Sequence, residues 1–167
     1  HKGLYWSKIP GTEGAKTPEP DEDYVIPFGK ARMALEADAS AVTTGEAAVV
    51  ITYGMGVYWA QKAAEAFPGQ ISILDLRTLA PWDRVEVMAK ARTHGRVLVL
   101  TEECSSPSFA QSVQGAIAEE CFEFLDAPVQ LMGAVNVPAI PLNTTLEQTM
   151  LPNADKVVAE LKELLEY

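Results

Sequence analysis

Apolar residues fall along this chain in two kinds of block: short continuous runs, and longer stretches in which they recur every three or four positions. Val49-Val50-Ile51-Thr52 is the first clear run. A Gly54-Met55-Gly56 turn follows, then Val57, Ala60, Ala63, Ala64 and Phe67 recur at helical spacing until Pro68-Gly69. Ile71 to Leu76 is the next run. Only a helix-length connection brings a strand back beside its predecessor in the same direction, so this unit predicts a parallel crossover and an α/β fold. Asp83 is placed to cap a helix to about Arg92 with Val85, Val87, Met88 and Ala91 on its apolar face, and Gly95 closes it. Arg96-Val97-Leu98-Val99-Leu100 has the near-continuous apolarity of a strand covered on both sides. Glu102 to Ser108 reads as a loop, Phe109 to Phe124 as a helix with Val113, Ile117, Ala118 and Cys121 on one stripe, and Val129 to Met132 as the last strand. Residues 133–143, with Pro138 and Pro141, read as irregular. A final helix from about Ala154 to Leu165, capped by Asn153, aligns Val157, Val158, Leu161, Leu164 and Leu165. Full burial of those five side chains would stabilise the domain by roughly 8–15 kcal/mol, an upper estimate.

Ahead of this pattern, residues 7–23 are rich in Pro, Gly and charge and carry almost nothing apolar, which predicts a linker, since ordering them in a core would cost more than it gains. Residues 24–167 then form one domain of ordinary size. An entry strand is expected around Ala31 to Leu35 and a polar turn over 38–46. The chain begins without Met or a signal-peptide core, as a piece cut from a longer protein would.

Charge narrows the function classes. Thirteen Lys and Arg stand against 23 Asp and Glu, a net charge of -10, which repels phosphate backbones and anionic lipid. No nucleic-acid or membrane role is expected, and no apolar run reaches the ~18 residues a bilayer needs. Cys104 and Cys121 are too few for a disulfide framework, and with His1 and His94 they never fall at metal-ligand spacing.

Two local features invite a chemical reading. Gly54-x-Gly56 opens a helix after a strand, and Asp75 lies near the end of the next strand, close to a nicotinamide-dinucleotide fingerprint. The third glycine of that fingerprint is replaced by Trp59, whose bulk would hold the helix off the strand, so the plainer reading is a strand-to-helix turn. Cys104 sits where α/β folds place nucleophiles, but His94 precedes the same strand at its opposite end, so no base is at hand and a small polar loop with a partly buried thiol is the plainer account. Trp59 and Trp82 read as core or interface anchors, and Asp126, in Leu125-Asp126-Ala127-Pro128, as turn chemistry.

Taken together and in order, Ile26-Pro27-Phe28-Gly29-Lys30-Ala31-Arg32, Val50-Ile51-Thr52-Tyr53-Gly54, Ile73-Leu74-Asp75-Leu76-Arg77-Thr78-Leu79-Ala80-Pro81, Ile117-Ala118-Glu119-Glu120 and Phe124-Leu125-Asp126-Ala127-Pro128-Val129 resemble one family. They look like the C-terminal, transketolase-like domain of the beta subunit of thiamine-dependent 2-oxo acid dehydrogenases of the pyruvate and branched-chain type. The opening His1-Lys2-Gly3-Leu4-Tyr5 is similar to the end of that family's preceding pyrimidine-binding domain, which assigns residues 1–6 to it. The resemblance implies a three-layer α/β/α sandwich on a mostly parallel five-stranded sheet with one antiparallel strand. It implies that thiamine diphosphate and Mg are held in the parent enzyme, with the catalytic His in the part preceding this chain, so that this chain carries no cofactor and no catalytic residue. Its role is then assembly: twofold pairing of beta subunits, contact with alpha subunits, and docking of the subunit-binding domain of the acyltransferase core on Asp126 and the terminal carboxylate of Tyr167. The compartment implied is the bacterial cytoplasm, or the mitochondrial matrix in a eukaryote. Two stretches depart from the pattern. Ser105-Ser106-Pro107-Ser108 stands where many relatives have a Gly pair ahead of the aromatic, and Ala139-Ile140-Pro141-Leu142 replaces the usual Pro-Tyr after Val137-Pro138. A nicotinamide-dependent dehydrogenase domain using Gly54, Gly56 and Asp75, and a stand-alone interaction module, are the competing readings.

Overall fold

The computed structural model describes residues 20–139 and 141–167. Residues 1–6 and most of the expected linker lie outside the described residues, and its last four positions, 20–23, are exposed. In chain order the elements are β1 (Arg32–Leu35), α1 (Ala39–Thr43), β2 (Ala48–Thr52), α2 (Met55–Ala64), β3 (Ile71–Asp75), α3 (Arg84–His94), β4 (Val97–Cys104), α4 (Phe109–Glu120), β5 (Gln130–Ala134), α5 (Thr144–Met150) and α6 (Ala154–Leu165).

The five strands form one sheet in the order β1-β3-β2-β4-β5. β1 runs antiparallel to β3, and the other neighbours are parallel. Alternate residues of each central strand feed opposite faces, as the pleat requires. On one face Val49, Ile51, Val97 and Val99 meet Val87, Met88 and Ala91 of α3 and Ala110, Val113 and Ile117 of α4. On the other, Ala48, Val50, Leu98 and Leu100 meet Ala60, Ala63 and Ala64 of α2 and Val157, Leu161 and Leu164 of α6. The result is the three-layer α/β/α sandwich, with the central strands fully enclosed.

Several boundaries move for physical reasons. The 38–46 turn contains the one-turn helix α1, which buries no residue and so leaves no periodic signal. β4 continues past Leu100 through Thr101 to Cys104 because its far end pairs Cys104 with Ala134 of β5. α4 stops at Glu120 and a 3-10 turn covers Phe122–Phe124, while α5, with only Met150 buried, occupies residues expected after the irregular stretch. Val85 is 79% exposed and Ala118 also faces outward, so neither belongs to the apolar stripe assigned to its helix. Of the five apolar residues of α6, Val157, Leu161 and Leu164 are buried and the other two only partly, which lowers the helix's contribution to about 5–9 kcal/mol.

Candidate functional site

In an open parallel sheet, ligands gather where successive crossovers leave to opposite faces. Here that point lies between β2, which crosses to β3 through α2 on one face, and β4, which crosses to β5 through α4 on the other. Tyr53, just past β2, donates its hydroxyl proton to Glu103 and accepts from Thr101 Oγ1 at 2.9 Å, while the Glu103 N–H donates back to Thr101 at 3.2 Å. Burial, reinforced by Glu103, pushes the Tyr53 hydroxyl far above the ordinary phenol range, so it stays a neutral donor. The Tyr53 ring meets Phe109 edge-on at 5.8 Å, and Phe109 meets Trp82 at 6.3 Å, tying β2 to the starts of α3 and α4. A cavity of about 420 Å3 lies over this group, lined also by Gly54, Leu79 and Glu102. None of it was legible in the sequence, because Tyr53 and its partners come from strands 48 to 50 residues apart.

Gly54 and Gly56 both have structural work. Gly54 takes φ 60° before α2, and a Cβ on Gly56 would come within 2.0 Å of Thr52 Oγ1. The close helix–strand approach therefore falls at Gly56, one turn before Trp59, which packs at the edge of the second core layer. Asp75 accepts the Arg77 N–H at 3.1 Å and lies 3.7 Å from the Arg32 guanidinium across the antiparallel register. Burial raises the Asp75 carboxyl above its usual range, opposed by that hydrogen bond and the two arginines. Arg77 itself holds φ 59°, a left-handed conformation that costs a non-glycine residue of order 1–3 kcal/mol. Cys104 ends β4 beside Ser105 and Ser106, which bind the side-chain oxygen of Asn136, and its Sγ faces the Val135 carbonyl at 4.0 Å. The serine-rich departure is thus an ordered loop that ends in the Ser108 cap on α4.

At the amino end of the sheet, Asp126 donates its backbone N–H to the Gly95 carbonyl at 2.9 Å, and its exposed carboxylate lies against Gly95, where a Cβ would come within 2.3 Å of an Asp126 oxygen. Gly95 has φ 70°, so the closure of α3 and the seat of Asp126 are one device. Beside it a groove of about 650 Å3 runs along α4, lined by Gly115, Ala118, Phe122, Leu125 and Pro128. Phe122 is 76% exposed and Phe124 51%, the latter ring covered by the Arg92 guanidinium. Tyr167, 64% exposed, follows α6. That helix spans about 18 Å, and Val157, Leu161 and Leu164 pack in the same core layer as Ala127.

His94 closes α3 nearby, buried, with Nδ1 on the Lys90 carbonyl and Nε2 on Ser72 Oγ, both at 2.9 Å. A ring nitrogen facing a carbonyl must carry the proton, so Ser72 donates to Nε2. Burial lowers the His94 pKa below the ordinary imidazole value.

Residues 37–157 match the family described as transketolase, C-terminal domain, and the chain belongs to that family. It is 36% identical over 151 residues to the 2-oxoisovalerate dehydrogenase subunit beta of Bacillus subtilis, covering 89% of this chain and 44% of that protein. It is 31% identical over 144 residues to the pyruvate dehydrogenase E1 component subunit beta of Rhizobium meliloti, covering 84% of this chain and 29% of that one. Among solved structures, a split gene transketolase, an inactive beta4 tetramer, aligns with TM-score 0.67 at 23% identity over 89% of this chain and 46% of its own, a likeness of fold. The chain spans less than half the length of each of these proteins.

Proposed function

We propose that this chain is the C-terminal assembly and docking domain of the thiamine diphosphate-dependent, decarboxylating component of a 2-oxo acid dehydrogenase complex. The parent enzyme oxidatively decarboxylates pyruvate or a branched-chain 2-oxo acid and passes the acyl group to lipoamide. The observation that carries this reading is the 36% identity, over nearly the whole chain, to a 2-oxoisovalerate dehydrogenase beta subunit. Thiamine diphosphate and Mg belong to the parent enzyme. The described residues offer no group of three His, Cys, Asp or Glu side chains able to hold a metal ion, and the Glu103 carboxylate at the crevice is engaged by Tyr53. Residues 1–6 close the preceding pyrimidine-binding domain, 7–23 connect, and 24–167 form the domain described above. It works in the bacterial cytoplasm, or in the mitochondrial matrix in a eukaryote, paired about a twofold axis with a second beta subunit and in contact with alpha subunits.

Docking of the acyltransferase core's subunit-binding domain is assigned to the amino end of the sheet. Asp126 is exposed, is fixed through its own backbone and lines the apolar groove, so the surface suits a basic segment with an apolar anchor. Removing one member of a desolvated interfacial charge pair costs about 2–5 kcal/mol, more than tenfold in affinity. Calorimetric titration of the chain with that subunit-binding domain tests the assignment. Asp126→Ala combined with deletion of Tyr167 weakens binding by more than tenfold while the urea midpoint stays put; unchanged affinity removes both residues from the site.

A further inference from the structure

The carboxyl end of β3 carries a second cavity, of about 460 Å3, whose chemistry the docking role leaves unused. Its walls include Arg32, Asp75, Arg77, Gly54, Tyr58 and Gln61. Two guanidinium groups meet there in a protein whose net charge is -10. The Arg77 side chain is only partly exposed, and among the described residues its guanidinium makes no hydrogen bond or close ion pair. Arg32 has only the long 3.7 Å approach to Asp75, so its planar donor fork is largely uncommitted. The Asp75 carboxylate feels the Arg77 charge, but the Arg77 donor fork is not taken up by it, and the φ of 59° at Arg77 keeps that fork at the cavity wall.

We infer that this cavity binds a small phosphorylated metabolite, its phosphoryl group held between Arg32 and Arg77. Charge selects phosphate over carboxylate. Two arginines against one aspartate leave one positive charge, and the start of α2, which opens at Gly54 without a side-chain cap, adds about half a charge more. A phosphate monoester carries about -1.5 to -2 at neutral pH, which matches, and its three oxygens suit two forked donors. The cavity volume leaves room for the organic part of such a molecule beside Tyr58 and Gln61. Asp75 sets the affinity by competing with the ligand for Arg32, while its other oxygen fixes the Arg77 backbone.

The test titrates the 167-residue chain with glycerol 3-phosphate and, separately, with inorganic phosphate and succinate, by calorimetry at constant ionic strength. Glycerol 3-phosphate and inorganic phosphate are expected to bind saturably and succinate much more weakly. Arg77→Gly removes the guanidinium and relieves the positive φ, so it folds at least as well as the parent; it and Arg32→Gln each weaken phosphate binding by about tenfold or more. Asp75→Asn, which keeps the acceptor for the Arg77 N–H but removes the competing charge, tightens it, an effect that a merely structural role of Asp75 does not produce. Absence of saturable phosphate binding, unchanged binding in Arg77→Gly, weaker binding in Asp75→Asn, or succinate binding as tightly as glycerol 3-phosphate overturns the assignment.

Discussion

Gly56 is the glycine at which α2 and the sheet come closest to conflict, and Gly56→Ala measures it. The added Cβ would sit 2.0 Å from Thr52 Oγ1 and 3.4 Å from Leu100 Cγ. Thr52 is fully buried and its hydroxyl donates to the Leu100 carbonyl at 2.9 Å, so the side chain cannot turn away without giving up that bond. Overpacking a filled site costs about 1–3 kcal/mol and the lost hydrogen bond about 1 kcal/mol more. Better helix propensity offsets up to about 1 kcal/mol, because alanine is the stronger helix former. A net destabilisation of about 1–3 kcal/mol is expected, read as a lower urea midpoint at unchanged slope. Thr52→Ala removes the colliding oxygen, so the double variant loses less than the sum of the single ones by about 1 kcal/mol or more. A Gly56→Ala protein as stable as the parent, or a double-mutant cycle additive within about 0.5 kcal/mol, would show that this contact does not set the seating of α2.

Two further measurements follow from buried polar groups. His94 has a folded-state pKa below its unfolded value, so the unfolded chain binds the extra proton first: its contribution is complete above about pH 6.5 and is lost as the pH falls toward the folded value. His94→Gln is expected to flatten the decline in urea midpoint between about pH 7.5 and pH 5.5, and an unaltered slope refutes the linkage. Asp83 is buried at the start of α3, where it accepts from Glu86 N at 3.2 Å and from Ala31 N at 3.1 Å. Asp83→Ala removes a cap and leaves the Ala31 N–H without its acceptor, at a cost of about 2–4 kcal/mol in urea denaturation, with Asp83→Asn costing less; a loss under about 0.5 kcal/mol refutes it.

The layers were legible in the sequence because enclosure leaves a coarse signature. Val97 to Leu100 can be apolar on both sides only if both sides are covered, and α6 shows its buried stripe without help from its neighbours. The elements missed or misjudged are those whose reason is not burial. α1 buries nothing, α5 rests on Asn143 accepting from Thr145 and Leu146, and the polar end of β4 is a strand only because β5 pairs with it. The same distinction governs the sites. Asp126 is legible in the sequence as a turn residue, but its seat depends on Gly95, 31 residues earlier. The Arg32–Asp75–Arg77 group needs the antiparallel register of β1, which a four-residue strand announces only faintly.

That register also explains how one domain keeps surfaces of opposite electrostatic character apart. α/β strands run the same way, so everything past their carboxyl ends lies a full strand length from everything before their amino ends, about 16 Å for five residues. At physiological ionic strength the Debye length is about 8 Å, so Asp126 exerts little of its field on the arginine cavity. Only β1 reverses direction, and it is the strand that delivers Arg32 to the carboxyl end beside Asp75 and Arg77. Had β1 been parallel, the start of the strand, and Arg32 with it, would lie at the amino end with Asp126, the residue proposed for docking. The reversed edge strand is therefore what gives a strongly acidic domain a local basic site, and Arg32→Glu, which inverts that one charge, is expected to abolish phosphate binding while leaving the affinity for the subunit-binding domain unchanged in the same calorimeter. Loss of both together would mean that the two ends of the sheet are coupled, contrary to the screening argument.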